Sequence, residues 1–235
     1  MNRRGYRSPI PATVRAVIEK CCAGSDDQCT AYYVGNEKVG CRFWHDNGEV
    51  ELEYGLRAGQ KHGNECSFYP NGELLSVEPY RNGRIHGVCK QWGEDGRLLV
   101  TYRLVDGVGL DLWCDTQTGR LSEDTYFPDA GELGHQRVWN SDERTVWEES
   151  FWLSGKGWHG IQRKWNWKTG RLRRGYPQYF VSGEKMTRRK YIQACKTDSS
   201  LPPYRPEDDA PFRQPPAEYL VQRKRGSTPS AKKRK

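Results

Sequence analysis

Ala58-Gly59-Gln60-Lys61-His62-Gly63 and, one period later, Asn82-Gly83-Arg84-Ile85-His86-Gly87 decide the fold of this chain. The first glycine of each belongs to a series, Gly35, Gly59, Gly83, Gly107, Gly131 and Gly155, spaced by 24 residues, with Gly183 four residues late. Self-similarity at a period of this size marks a stack of small supersecondary units, each unable to bury its own apolar face without its neighbours. A second glycine follows each of the first six, at Gly40, Gly63, Gly87, Gly109, Gly134 and Gly160, and three of these follow histidine.

Half a unit away lies another turn, at Asp46-Asn47-Gly48, Pro70-Asn71-Gly72, Glu94-Asp95-Gly96, Gln117-Thr118-Gly119 and Lys168-Thr169-Gly170. Asn-Gly and Asp-Gly favour positive φ and hairpin turns, so each unit reads as two short antiparallel strands and two turns. The strand entering the Asn-Gly turn carries Cys41-Arg42-Phe43-Trp44, Cys66-Ser67-Phe68-Tyr69 and Cys89-Lys90-Gln91-Trp92. The strand leaving it carries Val50, Leu74, Leu98, Leu121 and Leu172, followed by Tyr54, Tyr80, Tyr102, Tyr126, Trp152 and Phe180. Such rows form ladders across a twisted antiparallel sheet. Glu51, Glu53 and Glu73 alternate with apolar residues and read as its outward face. In the fifth unit Glu143 replaces the turn glycine, which predicts a less regular sheet there, and extra residues around Gly157 and before Gly183 call for bulges or a longer loop.

The expected fold is therefore all-β: an elongated, curved, single antiparallel sheet of β-hairpin repeats with short capping helices at both ends. Residues 1–29 form the N-terminal segment. In it Val14, Val17, Ile18 and Cys21 fall at helical spacing and Gly24 stops the pattern, which predicts an amphipathic helix over the first strands. Residues 30–191 hold about six repeats. A closing helix is predicted from Thr187 as N-cap to Cys195. Residues 192–235 are proline-rich and basic, with seven of thirteen prolines between Pro202 and Pro229, and predict an extended strap or a disordered tail.

Composition agrees with a thin architecture: mean hydropathy is −0.95, hydrophobic residues make up 35%, and all nine Trp lie between Trp44 and Trp167. Of the net charge of +8, seven charges come from Arg223, Lys224, Arg225, Lys232, Lys233, Arg234 and Lys235, so the rest of the chain is close to neutral. Arg and Pro where a secretory signal would be apolar predict a cytoplasmic chain, and its eight cysteines then read as reduced thiols.

The pattern Trp-(x)3-Gly-x-Leu, then an aromatic, then Asn-Gly-(x)2-His-Gly, resembles the MORN-repeat variant of the bacterial YwqK-type antitoxin family, over about residues 32–191. The resemblance implies an elongated curved sheet without catalytic machinery, and roles in protein contact, dimerisation or membrane association. The antitoxin name implies holding a partner toxin inactive by binding it.

No catalytic, cofactor-binding or metal-binding residue is assigned. His62, His86 and His159 occupy equivalent turns; His62 and His86, one unit apart, fall about 9.5 Å from each other, too far to share a metal, and read as structural. Cys21, Cys22 and Cys29 contain no Cys-x-x-Cys pair, and Cys41, Cys66 and Cys89 read as small packing residues. There is no Gly-rich phosphate loop and no Gly-x-Ser-x-Gly elbow. For binding, an exposed aromatic sheet face points to Trp158, Trp167 and Trp147, with another protein as the partner. The seven basic residues of the tail are the candidates for phosphate contact with nucleic acid or anionic lipid. No small-molecule substrate is expected.

Overall fold

The computed structural model describes residues 6–20 and 28–226. The chain divides into two compact units, residues 1–107 and 108–235. Among the described residues there are 17 strands, and the fold is all-β, an open antiparallel arrangement of hairpins as the glycine period predicts.

The first unit contains β1 (Arg15–Lys20), β2 (Gln28–Val34), β3 (Glu37–Trp44), β4 (Val50–Arg57), β5 (Gln60–Phe68), β6 (Leu74–Arg81), β7 (Arg84–Ile85), β8 (Gly87–Trp92) and β9 (Leu98–Val105). Each pairs antiparallel with its neighbour in sequence, except that β6 pairs with both β7 and β8. Gly59 and Gly83 are the second residues of two-residue loops. Ala58-Gly59 has φ of +49° and +75°, and Asn82-Gly83 +50° and +78°. Two consecutive positive φ values define the type I′ turn, whose twist matches that of the flanking strands. The half-unit turns are of another kind. In His45–Gly48 and Tyr69–Gly72 the glycine amide donates back three residues at 2.9 and 2.8 Å, and the glycine, at φ +83° and +79°, restores the ladder as a bulge. Neighbouring turns are tied together: Asn47 Nδ2 donates to the Pro70 carbonyl at 2.7 Å and Tyr69 OH to that of Trp92 at 2.9 Å.

The cysteine row is a buried ladder, as read. Cys41 stands opposite Tyr54 and Cys89 opposite Tyr102, while Cys66 lies between Glu53 and Val77, and all three thiols are buried. Burial pushes the Cys66 thiol up to about 12, with the Glu53 and Glu65 carboxylates adding to it, so these are inert packing groups. Val50, Cys66 and Phe68 form one buried apolar cluster of this unit, with Tyr6 set edge-on against Phe68 at 5.2 Å.

Two expectations for this unit are corrected. The N-terminal helix is instead β1, paired with β2 from Arg15 opposite Tyr33 to Lys20 opposite Gln28. Val14, Val17 and Ile18 are β-branched, and the open edge of β2 supplies backbone partners that a helix would leave unused. Cys21, Cys22 and Gly24 lie outside the described residues. Glu53, expected on the outward face, is 1% exposed; Arg42, directly opposite it, closes on its carboxylate at 2.8 and 2.5 Å.

The second unit contains β10 (Val108–Cys114), β11 (Leu121–Phe127), β12 (Leu133–Trp139), β13 (Val146–Leu153), β14 (Gly157–Trp158), β15 (Gly160–Lys164), β16 (Gln178–Val181), β17 (Glu184–Met186), α1 (Arg188–Ala194), a 3-10 turn (Pro206–Asp209) and α2 (Ala217–Gly226). The Thr187 N-cap accepts from Lys190 N and Cys195 is the C-cap, as predicted. Tyr191 of α1 is buried with Ile161, Tyr179 and Leu201.

Residues 192–226, expected as a strap or as disordered, form an ordered strap. Val146 N donates to the Pro211 carbonyl and Arg213 N to that of Arg144, both at 2.9 Å. Leu201 and Tyr219 are 4% and 2% exposed. The composition suggested too little apolar area to order the segment. It is held by side chains spaced along it, each entering a place prepared on β11, β13 and β15.

Candidate binding surface

The strap converts the end of β13 and the turn after β15 into a cleft of about 380 Å³. Trp167 and Phe212 line it, with Asn140, Asp142, Thr145 and Lys168 around them. The two rings are 65% and 70% exposed, whereas Trp165 in the same wall is fully buried. Trp165 is fixed from below: its Nε1 donates to the Asp209 carbonyl at 2.8 Å, and the Arg213 guanidinium lies 5.5 Å from its ring. Lys168 places its ammonium 5.1 Å from the Trp167 ring. The Asp142 carboxylate is committed to the turn, accepting from Arg144 N, Thr145 N and Thr145 Oγ1 at 2.8 to 2.9 Å. What the cleft offers a partner is therefore two aromatic faces with a polar rim.

The three tryptophans chosen from the sequence do not form one patch. Trp158 pairs with Trp152 across β13 and β14, at the far end of β13 from Trp147, whose carbonyl accepts from Trp165 N. Five residues of strand separate the two ends by about 17 Å. Trp167 belongs to the cleft, Trp158 is 42% exposed by itself, and Trp147 is half-buried. Phe212 was missed because it lies in a proline-rich stretch, directly after Pro211; it is the one phenylalanine of residues 192–235, which was the available signal.

Beneath the cleft lies a buried charge network. Arg213 grips Glu149 with Nε and Nη2 at 2.8 and 2.7 Å. Arg163, opposite Glu149 in the β13–β15 ladder, donates to Asp209 at 3.0 Å and reaches Glu149 only at 3.4 Å. A second network surrounds Asp124, which is fully buried and accepts from His135, Arg137 and Trp139 at 3.1, 2.8 and 2.5 Å. Burial works to raise the Asp124 pKa, but these donors outweigh it and hold it below the ordinary 3.8.

Two of the turn histidines, His86 and His159, act as repeat-to-repeat staples. His86 Nδ1 accepts from Asp106 N at 3.2 Å, and His159 Nδ1 from Ser182 N at 3.1 Å, in each case the first residue of the following turn. His159 also meets Ser200 Oγ at 3.0 Å, and Ser200 Oγ donates to Asp198 at 2.5 Å. This has the composition of a hydrolytic triad with the wrong wiring. Because Nδ1 accepts an amide hydrogen, Nε2 carries the proton and donates to Ser200, so the imidazole cannot take the proton from that hydroxyl.

In the tail, Arg223 is part of α2 and pairs with Glu143 at 3.5 Å. Lys224 and Arg225 continue the α2 backbone. Lys232, Lys233, Arg234 and Lys235 lie outside the described residues. Among the described residues no helix is long and apolar enough to cross a membrane. No protein-family model matches the chain, and no curated protein matches it.

Proposed function

We propose that the chain is a non-enzymatic repeat scaffold that binds another protein, and that the Trp167–Phe212 cleft is the contact. The observation that carries this reading is the exposure of two large rings on one cleft, 65% and 70%, beside aromatic residues the fold buries completely. Aromatic anchors in a cleft with a polar rim are the usual energetic centre of a protein interface. The antitoxin-like or regulatory role follows from the resemblance of the repeat, and a cytoplasmic setting from the Arg and Pro residues of the N-terminal stretch; both belong to the same proposal.

The test uses the full chain as bait in lysate of its own host, at native expression. The reading requires a protein recovered in stoichiometric amount, lost with the Trp167→Ala/Phe212→Ala double variant and kept with Trp158→Ala. Recovery of the bare chain, or equal loss with both variants, overturns it. The alternative, association with nucleic acid or anionic membrane, is supported by the seven basic residues from Arg223 onward against no acid in residues 222–235. It requires binding that weakens with salt and disappears on deleting residues 222–235.

A further inference from the structure

We propose that the first unit holds a binding site for a small phosphate-type oxyanion, in the cleft between residues 7–11 and the bulge of the β4–β5 hairpin. The cleft is about 380 Å³ and is lined by Arg7, Pro9, Pro11, Arg57, His62 and Asn64 among others. That is the size of a small-molecule site.

Its construction begins with the ladder. Tyr54 pairs with Glu65 and Leu56 with Lys61, so Gly55 faces three residues, His62, Gly63 and Asn64, that the β4–β5 ladder leaves out. Gly55 allows the N-terminal segment to cross there. A Cβ at that position would stand 3.2 Å from the Pro9 carbonyl oxygen and 2.9 Å from that of His62. The crossing brings Arg7 to the same cleft as Arg57. No carboxylate is among the lining residues, and no described acid forms an ion pair with either guanidinium. Two exposed positive charges thus border one small space, with no described acid paired to them.

His62 supplies the second, independent observation. In the equivalent positions, His86 and His159 each use Nδ1 to accept the first amide of the next turn. His62 does not: its Nδ1 is buried with no hydrogen-bond partner among the described residues. The backbone explains the difference, since Gly87 and Gly160 have φ of +141° and +137° while Gly63 has +82°. His62 has therefore left the staple and lines the cleft wall. The Nδ1 atom itself is closed off from the cleft; the observation is that this ring is not tied to the next turn as the other two are. Two guanidiniums and the Asn64 amide together offer the donors that a phosphate or sulfate group accepts, and guanidinium matches its oxygens in pairs. An isolated carboxylate would leave much of this set unused. Enclosure by Pro9 and Pro11 favours a free small molecule over a bilayer surface, and it replaces the sequence-based expectation that no small molecule is bound.

The experiment titrates the full chain with inorganic phosphate at constant ionic strength, by calorimetry and by the His62 imidazole proton resonances, with acetate as control. One saturable site is expected, with movement of the His62 resonances and binding at least about tenfold weaker for acetate. Arg57→Gln and Arg7→Gln, both at exposed side chains, are expected to weaken phosphate about tenfold each without changing the unfolding midpoint. Deleting residues 227–235 should leave the affinity unchanged. Vesicles containing phosphatidylglycerol form a second arm: their binding, in place of free phosphate and dependent on Arg57, would reassign the phosphate to a lipid headgroup and overturn a soluble ligand. Absence of saturation, indifference to both Arg variants, or loss with the tail deletion would each sink the site.

Discussion

Arg213 and Glu149 stand 64 residues apart in sequence and meet in a two-pronged pair, Nε to Oε1 at 2.8 Å and Nη2 to Oε2 at 2.7 Å. Their side chains are 13% and 6% exposed. The pair converts the proline-rich strap into part of the fold. Glu149 sits opposite Arg163 on β15, yet those two make only one long contact, because Asp209 from the strap draws Arg163 away. Each sheet charge thus takes its better partner from the strap.

Removing one member of such a pair leaves a buried charge uncompensated, which costs about 3–5 kcal/mol. Arg213→Met is therefore expected to lower stability by about that amount, and Glu149→Gln by a similar one. The Arg213→Met/Glu149→Gln double variant should lose much less than the sum, since neither charge is then stranded. Urea unfolding of the four proteins measures this. A loss under 1 kcal/mol in Arg213→Met would show that the strap is held by its apolar contacts alone.

Glu143 occupies the place of a turn glycine at φ +54°, a conformation that costs a side-chain-bearing residue about 1 kcal/mol. Its carboxylate accepts from Leu121 N at 2.9 Å and from the Tyr219 hydroxyl, and Arg223 stands at 3.5 Å. Glu143→Gly relieves the backbone but leaves the buried Tyr219 hydroxyl without its acceptor, at about 1–3 kcal/mol, while Leu121 N keeps the Tyr219 oxygen as a partner at 3.1 Å. The net effect is expected to be destabilising and to free α2 first, seen as faster amide exchange across residues 217–223. At Ala58, with φ +49° and no such contacts, the same change to glycine should be neutral or stabilising.

How much of this was legible in the sequence depends on the distance between partners. The two-residue loops at Gly59 and Gly83, the turns at Gly48 and Gly72, the cysteine row and the Thr187 cap are set by neighbours within a few residues, and periodicity exposes them. β1 was mistaken for a helix because Val14, Val17 and Ile18 fit a 3.6 period over so short a run; only the edge of β2 decides the matter. Glu53 looked like an outward strand residue because Arg42 lies across the ladder. The cleft was half visible. Trp167 stood out as an aromatic beyond the repeat, but Phe212 reaches it only through the strap, whose anchors on β13 are more than sixty residues away in sequence.

Gly40 tests the N-terminal crossing. No positive φ requires a glycine there, but an added Cβ would lie 2.7 Å from the Tyr54 carbonyl oxygen and 2.9 Å from Ile10 Cγ1. Ile10 is 8% exposed, and to admit a methyl group it must leave. Gly40→Ala is expected to cost about 1–3 kcal/mol and to make the bonds around residues 6–11 sensitive to protease. Ile10→Ala, which empties the same place, should reproduce that sensitivity. Resistance in both variants would show that residues 6–11 are anchored elsewhere.

His159 gives the pH dependence. It is 1% exposed, and burial holds its pKa below the ordinary 6.5, with the Asp198 carboxylate opposing and Lys156 assisting. The folded state therefore binds a proton less readily than the unfolded chain. Between the two pKa values the unfolded state carries more protons, so stability increases with pH there. The histidine's contribution is fully present above 6.5 and is lost progressively as pH falls from there through the folded pKa. The physical event is clear: a protonated Nδ1 would direct a hydrogen at the amide hydrogen of Ser182, breaking the staple and loosening Ser200 and the start of the strap. The lowered carboxylates, Asp124, Asp142 and Asp198, titrate below 3.8 and act in a separate, more acidic window. Urea midpoints measured from pH 8 to pH 5 should be level above 7 and decline below 6.5. His159→Gln, which keeps a polar side chain but cannot titrate, should flatten that part of the curve, and an unchanged slope in the variant would assign the effect to other groups.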